Sequence, residues 1–207
     1  MEYIPTNISY ALPKRHELPT NVAKWAIDPG RAVLLIHDMQ RFFLRPFGHE
    51  LRADLIQRVA AMRRWAVENR VPIAYSAQPG GMTENQRGLL KDFWGAGMEV
   101  SVADREIPQE IAPSKHDWVF TKWRYSAFFK SDLLAQMRQS GKDQLIITGV
   151  YGHVGILMTA LESYTHDIET FIVADAIGDF SLNDHRMMLN FTSKRCAVVT
   201  TVGDIIK

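Results

Sequence analysis

Ala32-Val33-Leu34-Leu35-Ile36-His37-Asp38-Met39-Gln40 is the stretch whose reading decides the fold of this chain. Five consecutive aliphatic residues suit a strand buried on both faces, as in a parallel sheet covered by helices, and not a strand with one wet face. Residues 71–77, 118–121, 144–148, 168–174 and 197–201 are further short runs of this kind. Helical patterns lie between them. Leu51, Leu55, Val59, Met62 and Ala66 recur at spacings of three and four, which is one stripe of a helix. Val154, Leu157, Leu161 and Tyr164 read the same way, with Ser131 as an N-cap and Gly141 as a stop for the helix between. Strands alternating with helices predict parallel βαβ units with right-handed crossovers, hence one α/β domain of three layers, α/β/α. Ligands of such sheets bind beyond the carboxyl ends of the strands, so the residues just after each strand carry the chemistry. Residues 1–30 read as an irregular arm that packs on the domain or on a partner subunit.

Composition narrows the class. With 207 residues, 46% of them hydrophobic, the chain can bury one substantial core. A formal net charge of +1 gives no global field aimed at nucleic acid or a membrane surface. The single cysteine, Cys196, has no partner for an internal disulfide, which suits a reducing cytoplasm. The opening MEYIPTNISYALP lacks the basic and apolar regions of a signal peptide. No apolar run approaches the roughly 18 residues of a spanning helix. A soluble cytoplasmic protein with a small-molecule ligand is expected.

Four strand ends hold candidates. Asp38 closes the first strand, where it loses hydration; a local cap is the alternative reading. Lys122 ends the third strand, where a cation could orient Asp38 or receive an anion, or simply snorkel to solvent. Arg124 and Tyr125 follow on the same loop. Gln78 and Arg87 flank a long segment, 78 to about 104, that reads as a loop without secondary structure: either a lid or binding loop, or an ordinary surface excursion with Arg87 solvated. Phe93 and Trp94 lie within it and could exclude water. Gly149-Val150-Tyr151-Gly152-His153-Val154-Gly155 joins a buried strand to a helix whose N-terminus favours anionic oxygen. Its spacing is not that of a dinucleotide fingerprint, and the turn His37–Gln40 has no glycine, which argues against a nucleotide cofactor. The histidines are scattered, no H-E-x-x-H or paired-cysteine spacing occurs, and no G-x-S-x-G elbow is present, so neither metal nor serine chemistry is indicated.

Together these strings resemble the isochorismatases: Leu34-Leu35-Ile36-His37-Asp38-Met39-Gln40, Gln78-Pro79, Lys122-Trp123-Arg124-Tyr125-Ser126-Ala127-Phe128 and the glycine-rich turn above. The resemblance runs from about residue 8 to 202. It implies a Rossmann-like, six-stranded parallel sheet in the order 3-2-1-4-5-6, a homodimer, and a non-proline cis peptide near Val150–Tyr151. The wider superfamily, with its nicotinamidases and other amidohydrolases, uses an Asp–Lys–Cys triad. Asp38 and Lys122 match two of its members, and Gly155 stands where the cysteine would be. The missing nucleophile points away from covalent amide hydrolysis and toward the isochorismatase branch.

Within that branch, Met82-Thr83-Glu84 and the segment from Arg87 to Gly95 are most similar to the phenazine-pathway enzymes. These hydrolyse 2-amino-2-deoxyisochorismate to pyruvate and trans-2,3-dihydro-3-hydroxyanthranilate. The alternative is a siderophore-pathway isochorismatase making 2,3-dihydro-2,3-dihydroxybenzoate; many of those carry a C-terminal carrier domain, for which a chain ending at Lys207 leaves no room. A catalytically silent binding subunit is a third reading. The resemblance implies Asp38 as general acid and Lys122 as its orienting cation and carboxylate ligand. Gln78 and Arg87 would bind carboxylate or hydroxyl groups, and Tyr125 and Tyr151 would supply hydrogen bonds and walls. Phe42 and Trp94 would cover the site, and the Gly155 N–H would meet a carboxylate. No cofactor or metal is required.

Overall fold

Apolar runs with no polar face must be covered on both sides, and here they are. The computed structural model describes residues 4–206. Strands β1 (Ala32–His37), β2 (Ile73–Ala77), β3 (Trp118–Thr121), β4 (Gln144–Val150), β5 (Glu169–Gly178) and β6 (Val198–Thr200) form one sheet in the order β3-β2-β1-β4-β5-β6. Every neighbouring pair is parallel. Because β1 is central, the chain leaves it toward β2 on one side and returns beside it as β4. That reversal opens a crevice beyond the carboxyl ends of β1 and β4.

Alternate residues of β1 serve two cores. Leu34 and Ile36 share one with the short helix α1 (Arg41–Leu44), through Phe43 and Leu44, and with helix α2 (His49–Glu68), whose Leu51, Leu55, Val59, Met62 and Ala66 are all buried as their spacing requires. Val33 and Leu35 share the other with α6 (Leu133–Gln139), α7 (Leu157–Thr165) and α8 (Leu182–Arg195). The described part of the arm packs on its own domain: Ile8 pairs with Phe47, and the Asn21 side chain bonds both the N–H and the carbonyl of Val199.

Several boundaries differ from the sequence reading. Strand β5 continues four residues past Ala174, because the carboxylate of Asp175 is buried yet satisfied, by the Val202 N–H at 2.8 Å and Arg58 at 3.0 Å. The segment 78–104 is not structureless. It folds into short helices α3 (Glu84–Arg87), α4 (Leu90–Trp94) and α5 (Val102–Arg105), started by local Thr83 and Ser101 caps that leave no long periodic signal. Asp132 holds the N-cap position of α6 by backbone geometry but makes no side-chain cap; the Ser131 hydroxyl, as read from sequence, accepts from the Leu133 N–H at 3.4 Å and also donates to Ala127 O at 2.5 Å. The apolar stripe read on α7 is displaced: Leu157, Ala160 and Ser163 face inward, whereas Leu161 and Tyr164 are 38% and 48% exposed. A π-helical turn, Gly152–Ile156, opens this helix. Its extra residue rotates everything after it by about 100° relative to a continuous α-helix.

Candidate active site

Asp38 immediately follows β1, and its N–H continues the ladder by donating to Ser76 O at 3.1 Å. Its φ of 52° is left-handed, a conformation that aspartate tolerates better than most residues. Lys122 follows β3 and likewise extends its ladder, donating from N to Ala77 O at 2.9 Å. Two strands apart, the side chains therefore emerge at one level. Lys122 Nζ donates to Asp38 Oδ2 at 2.7 Å, and Ser76 Oγ donates to Oδ1 at 2.7 Å. The lysine and aspartate side chains are only 3% and 7% exposed. Burying two charges costs desolvation that their attraction need not recover, so such a pair is poorly explained by stability alone.

Arg87 faces this pair from the end of α3. Its Nε donates to Gly95 O at 2.9 Å and one terminal nitrogen to Trp94 O at 3.2 Å. Burial, and after it the charge of Arg124, pushes its guanidinium below the usual arginine range. Among the described residues no carboxylate pairs with it. A buried, uncompensated guanidinium in a cleft is a binding site for an anion.

Aromatic residues form the walls. Trp94 Nε1 donates to Tyr125 OH at 2.8 Å, leaving the Tyr125 hydroxyl proton free for another acceptor. The Trp94 and Tyr151 rings both pack on Phe180, at 6.0 and 4.6 Å between centroids. Tyr151 OH donates to Phe43 O at 2.6 Å. The expectation that Tyr151 offers its hydroxyl to a ligand is thus corrected: its donor is committed, and the ring is a wall. The Val150–Tyr151 peptide is cis.

The Asp38–Lys122 pair, Arg87 and the aromatic rings line one cleft. Asp38, Phe42, Gln78, Arg87, Trp94, Lys122, Tyr125, Tyr151 and Gly155, all singled out from the sequence, line it. The sequence reading missed others. Ile4, Phe43, Leu90, Gly97, Met98, Val150 and Val154 complete the lining. Ser76 holds the aspartate, and Gln40 ties the loops after β1 and β2 by bonding both the N–H and the carbonyl of Gln78. Ser76 was within reach, since it sits one residue before the end of β2, and Gln40 lies in the turn after β1 that the sequence singled out, though without a role assigned to it. Beside the cleft, His153 Nδ1 lies 2.6 Å from Asp179, and its N–H donates to the same carboxylate at 2.7 Å. Arg124 does not enter the lining. It donates to the carbonyls of Gln86 and Trp123.

A switch-point cleft with an Asp–Lys pair on the rim and glycine at the head of the following helix defines a class, and the chain belongs to the isochorismatase family: its domain matches residues 32–204. Phenazine biosynthesis protein PhzD1 of Pseudomonas aeruginosa is 56% identical over 207 residues, covering 100% of both chains. Enterobactin synthase component B of Escherichia coli is 40% identical over 205 residues, 98% of this chain and 72% of that protein. A cysteine hydrolase from Pseudomonas syringae shares the fold, with a TM-score of 0.82 at 22% identity over 91% of this chain and 95% of that one.

Proposed function

We propose that the chain hydrolyses the enol ether of 2-amino-2-deoxyisochorismate to pyruvate and trans-2,3-dihydro-3-hydroxyanthranilate, in phenazine biosynthesis. The observation that carries this reading is the buried Asp38–Lys122 pair facing Arg87, which no carboxylate among the described residues neutralises, across an aromatic-walled cleft. Asp38 gives its proton to the terminal CH2 carbon, and the C=C pair forms the new C–H bond. The resulting oxocarbenium ion takes up one water. The hemiketal then collapses, breaking the bond between the pyruvyl carbon and the ether oxygen, to release pyruvate and the ring alcohol. The water's protons restore the acid and protonate the alcohol. No covalent adduct forms.

Protonation is the difficult step. A free carboxylic acid with a pKa near 3.9 keeps its proton only about 0.1% of the time at pH 7. The substrate supplies the bias: its carboxylates engage Lys122 and Arg87, place negative charge near Asp38 and exclude water. Tyr125 donates from its hydroxyl, Gln78 binds a polar ring substituent, Phe42 and Trp94 cover the ligand, and the Gly155 N–H meets a carboxylate at the head of its helix.

Full-length identity of 56% to a phenazine protein, against 40% to an enterobactin component, favours the amino substrate over isochorismate. Pyruvate release, coupled to lactate dehydrogenase, tests both. The amino compound should have the higher kcat/KM. Preference for isochorismate would move the chain to siderophore synthesis, and no pyruvate from either would favour a binding subunit. We also read the chain as a cytoplasmic homodimer, as the family resemblance implies. Light scattering of the purified protein checks the dimer.

A further inference from the structure

His37 precedes the acid in sequence and plays no part in the chemistry above, yet its ring is fully buried and touches both ends of the turn opposite. At one end, Nδ1 lies 2.8 Å from Val150 O. A carbonyl only accepts, so Nδ1 carries the proton and donates. At the other end, a Cβ added to Gly155 would stand 2.5 Å from His37 Cε1, 3.2 Å from Nε2 and 3.2 Å from Tyr125 O. The ring contact at 2.5 Å is the severe one; the carbonyl contact is tight but needs a shift of only a few tenths of an ångström. Thr159, whose hydroxyl donates to Gly155 O at 2.7 Å, stands 3.3 Å from Nε2 and backs the ring. Burial pushes the imidazole down to about 4, against the partial counter-pull of Asp38, so the ring is uncharged at neutral pH.

We propose that His37 is a positioning residue, a gauge that sets the Val150–Gly155 turn at its working distance from Asp38 by donating to Val150 O and abutting Gly155, and that it thereby restricts position 155 to glycine. The backbone of the helix N-terminus then reaches the cleft directly. A side chain at 155, a nucleophile included, has no room while the ring is present. Residues 37 and 155 therefore form one steric unit, and non-covalent chemistry is built into the pair as well as into the absence of a nucleophile. The effect on turnover rests on the reading of Asp38 as the reacting acid; the steric unit itself does not.

A double-variant cycle tests this with wild type, His37→Asn, Gly155→Ala and the combination. Asparagine keeps an N–H close to the Nδ1 position but lacks the ring edge that faces residue 155. His37→Leu, which loses the donor, is the control. Gly155→Ala should lower kcat by about 10²-fold, the size expected of a small misplacement, with KM changed less. The double variant should recover about tenfold of that kcat, and part of the lost Tm. His37→Asn should retain more kcat than His37→Leu. Additive kcat values, a Tm recovery without kcat recovery, or leucine equal to asparagine would each overturn the proposal. If Gly155→Ala fails to fold, rescue of folding and turnover by His37→Asn supports it, and a double variant that folds no better overturns it. Should wild type release no pyruvate, the functional reading falls alone, and the Tm cycle still decides the steric pairing.

Discussion

Asp38 sits at φ 52° with both carboxylate oxygens engaged, so the cleanest probe keeps its shape and its tolerance of that backbone. Asparagine does both and cannot deliver the proton. Asp38→Asn should lower kcat by about 10²–10⁴-fold, the usual worth of a positioned acid, while substrate still binds. Steady-state pyruvate release measures the first and isothermal titration the second; residual kcat near wild type would remove Asp38 from the role. Arg87 offers a test of anion binding without touching the arginine. Gly97 lies at φ 81°, and a Cβ there would come within 2.7 Å of the Arg87 Cζ. Gly97→Ala should displace the guanidinium and raise KM by about tenfold or more, the worth of a charge-assisted hydrogen bond, with kcat less affected. An unchanged KM would mean that Arg87 does not bind substrate.

At the scale of elements, α7 shows how a local irregularity defeats periodicity. The stripe 154, 157, 161, 164 is apolar, but the π turn at Gly152–Ile156 puts Val154 out of phase with the three residues on α7, of which only Leu157 is buried. Ala160 is wholly buried against α8 and the sheet, and Leu161 is not. Ala160→Met should therefore cost about 1–3 kcal/mol by overpacking, whereas Leu161→Ala should stay within about 0.5 kcal/mol. Urea denaturation at a protein concentration that holds the oligomeric state constant compares them. The reverse order would restore the stripe read from sequence. The segment 78–104 follows the same lesson, since its short helices α3 and α5 are started by single caps and carry little repeat for a sequence to display.

Over the whole molecule, pH acts through buried histidines. His37 and His185 are both pushed down to about 4, by burial first. In the unfolded chain each charges near 6.5, so below that pH the unfolded state binds more protons and stability falls. The loss begins near pH 6.5, levels off near pH 4, and amounts to about 3 kcal/mol per histidine. His153 has the opposite sign. Burial opposes its charge, but the hydrogen bond and charge of Asp179 prevail and raise it. Its contribution is complete below pH 6.5 and fades as pH rises through the folded value. Chemical denaturation between pH 4 and 8 should show stability rising from pH 4 to about 6.5. A flat profile over that interval would contradict neutral burial of His37 and His185.

The order of apolar runs and helical stripes was enough to determine a three-layer α/β domain, and the topological rule then pointed to the residues after each strand. Asp38, Lys122, Gln78 and the glycine-rich turn were legible for that reason. The resemblance of their strings added the class of chemistry. What tertiary structure alone decided is which polar groups converge and which are already spent. Sheet register is non-local: it brings Lys122 to Asp38 across 84 positions of sequence and sets Ser76 beside the same carboxylate. It also commits the Tyr151 hydroxyl to Phe43 and makes His37 the ruler for Gly155. A side chain's type states what it can donate or accept; only the packed fold determines whether that capacity has already been used.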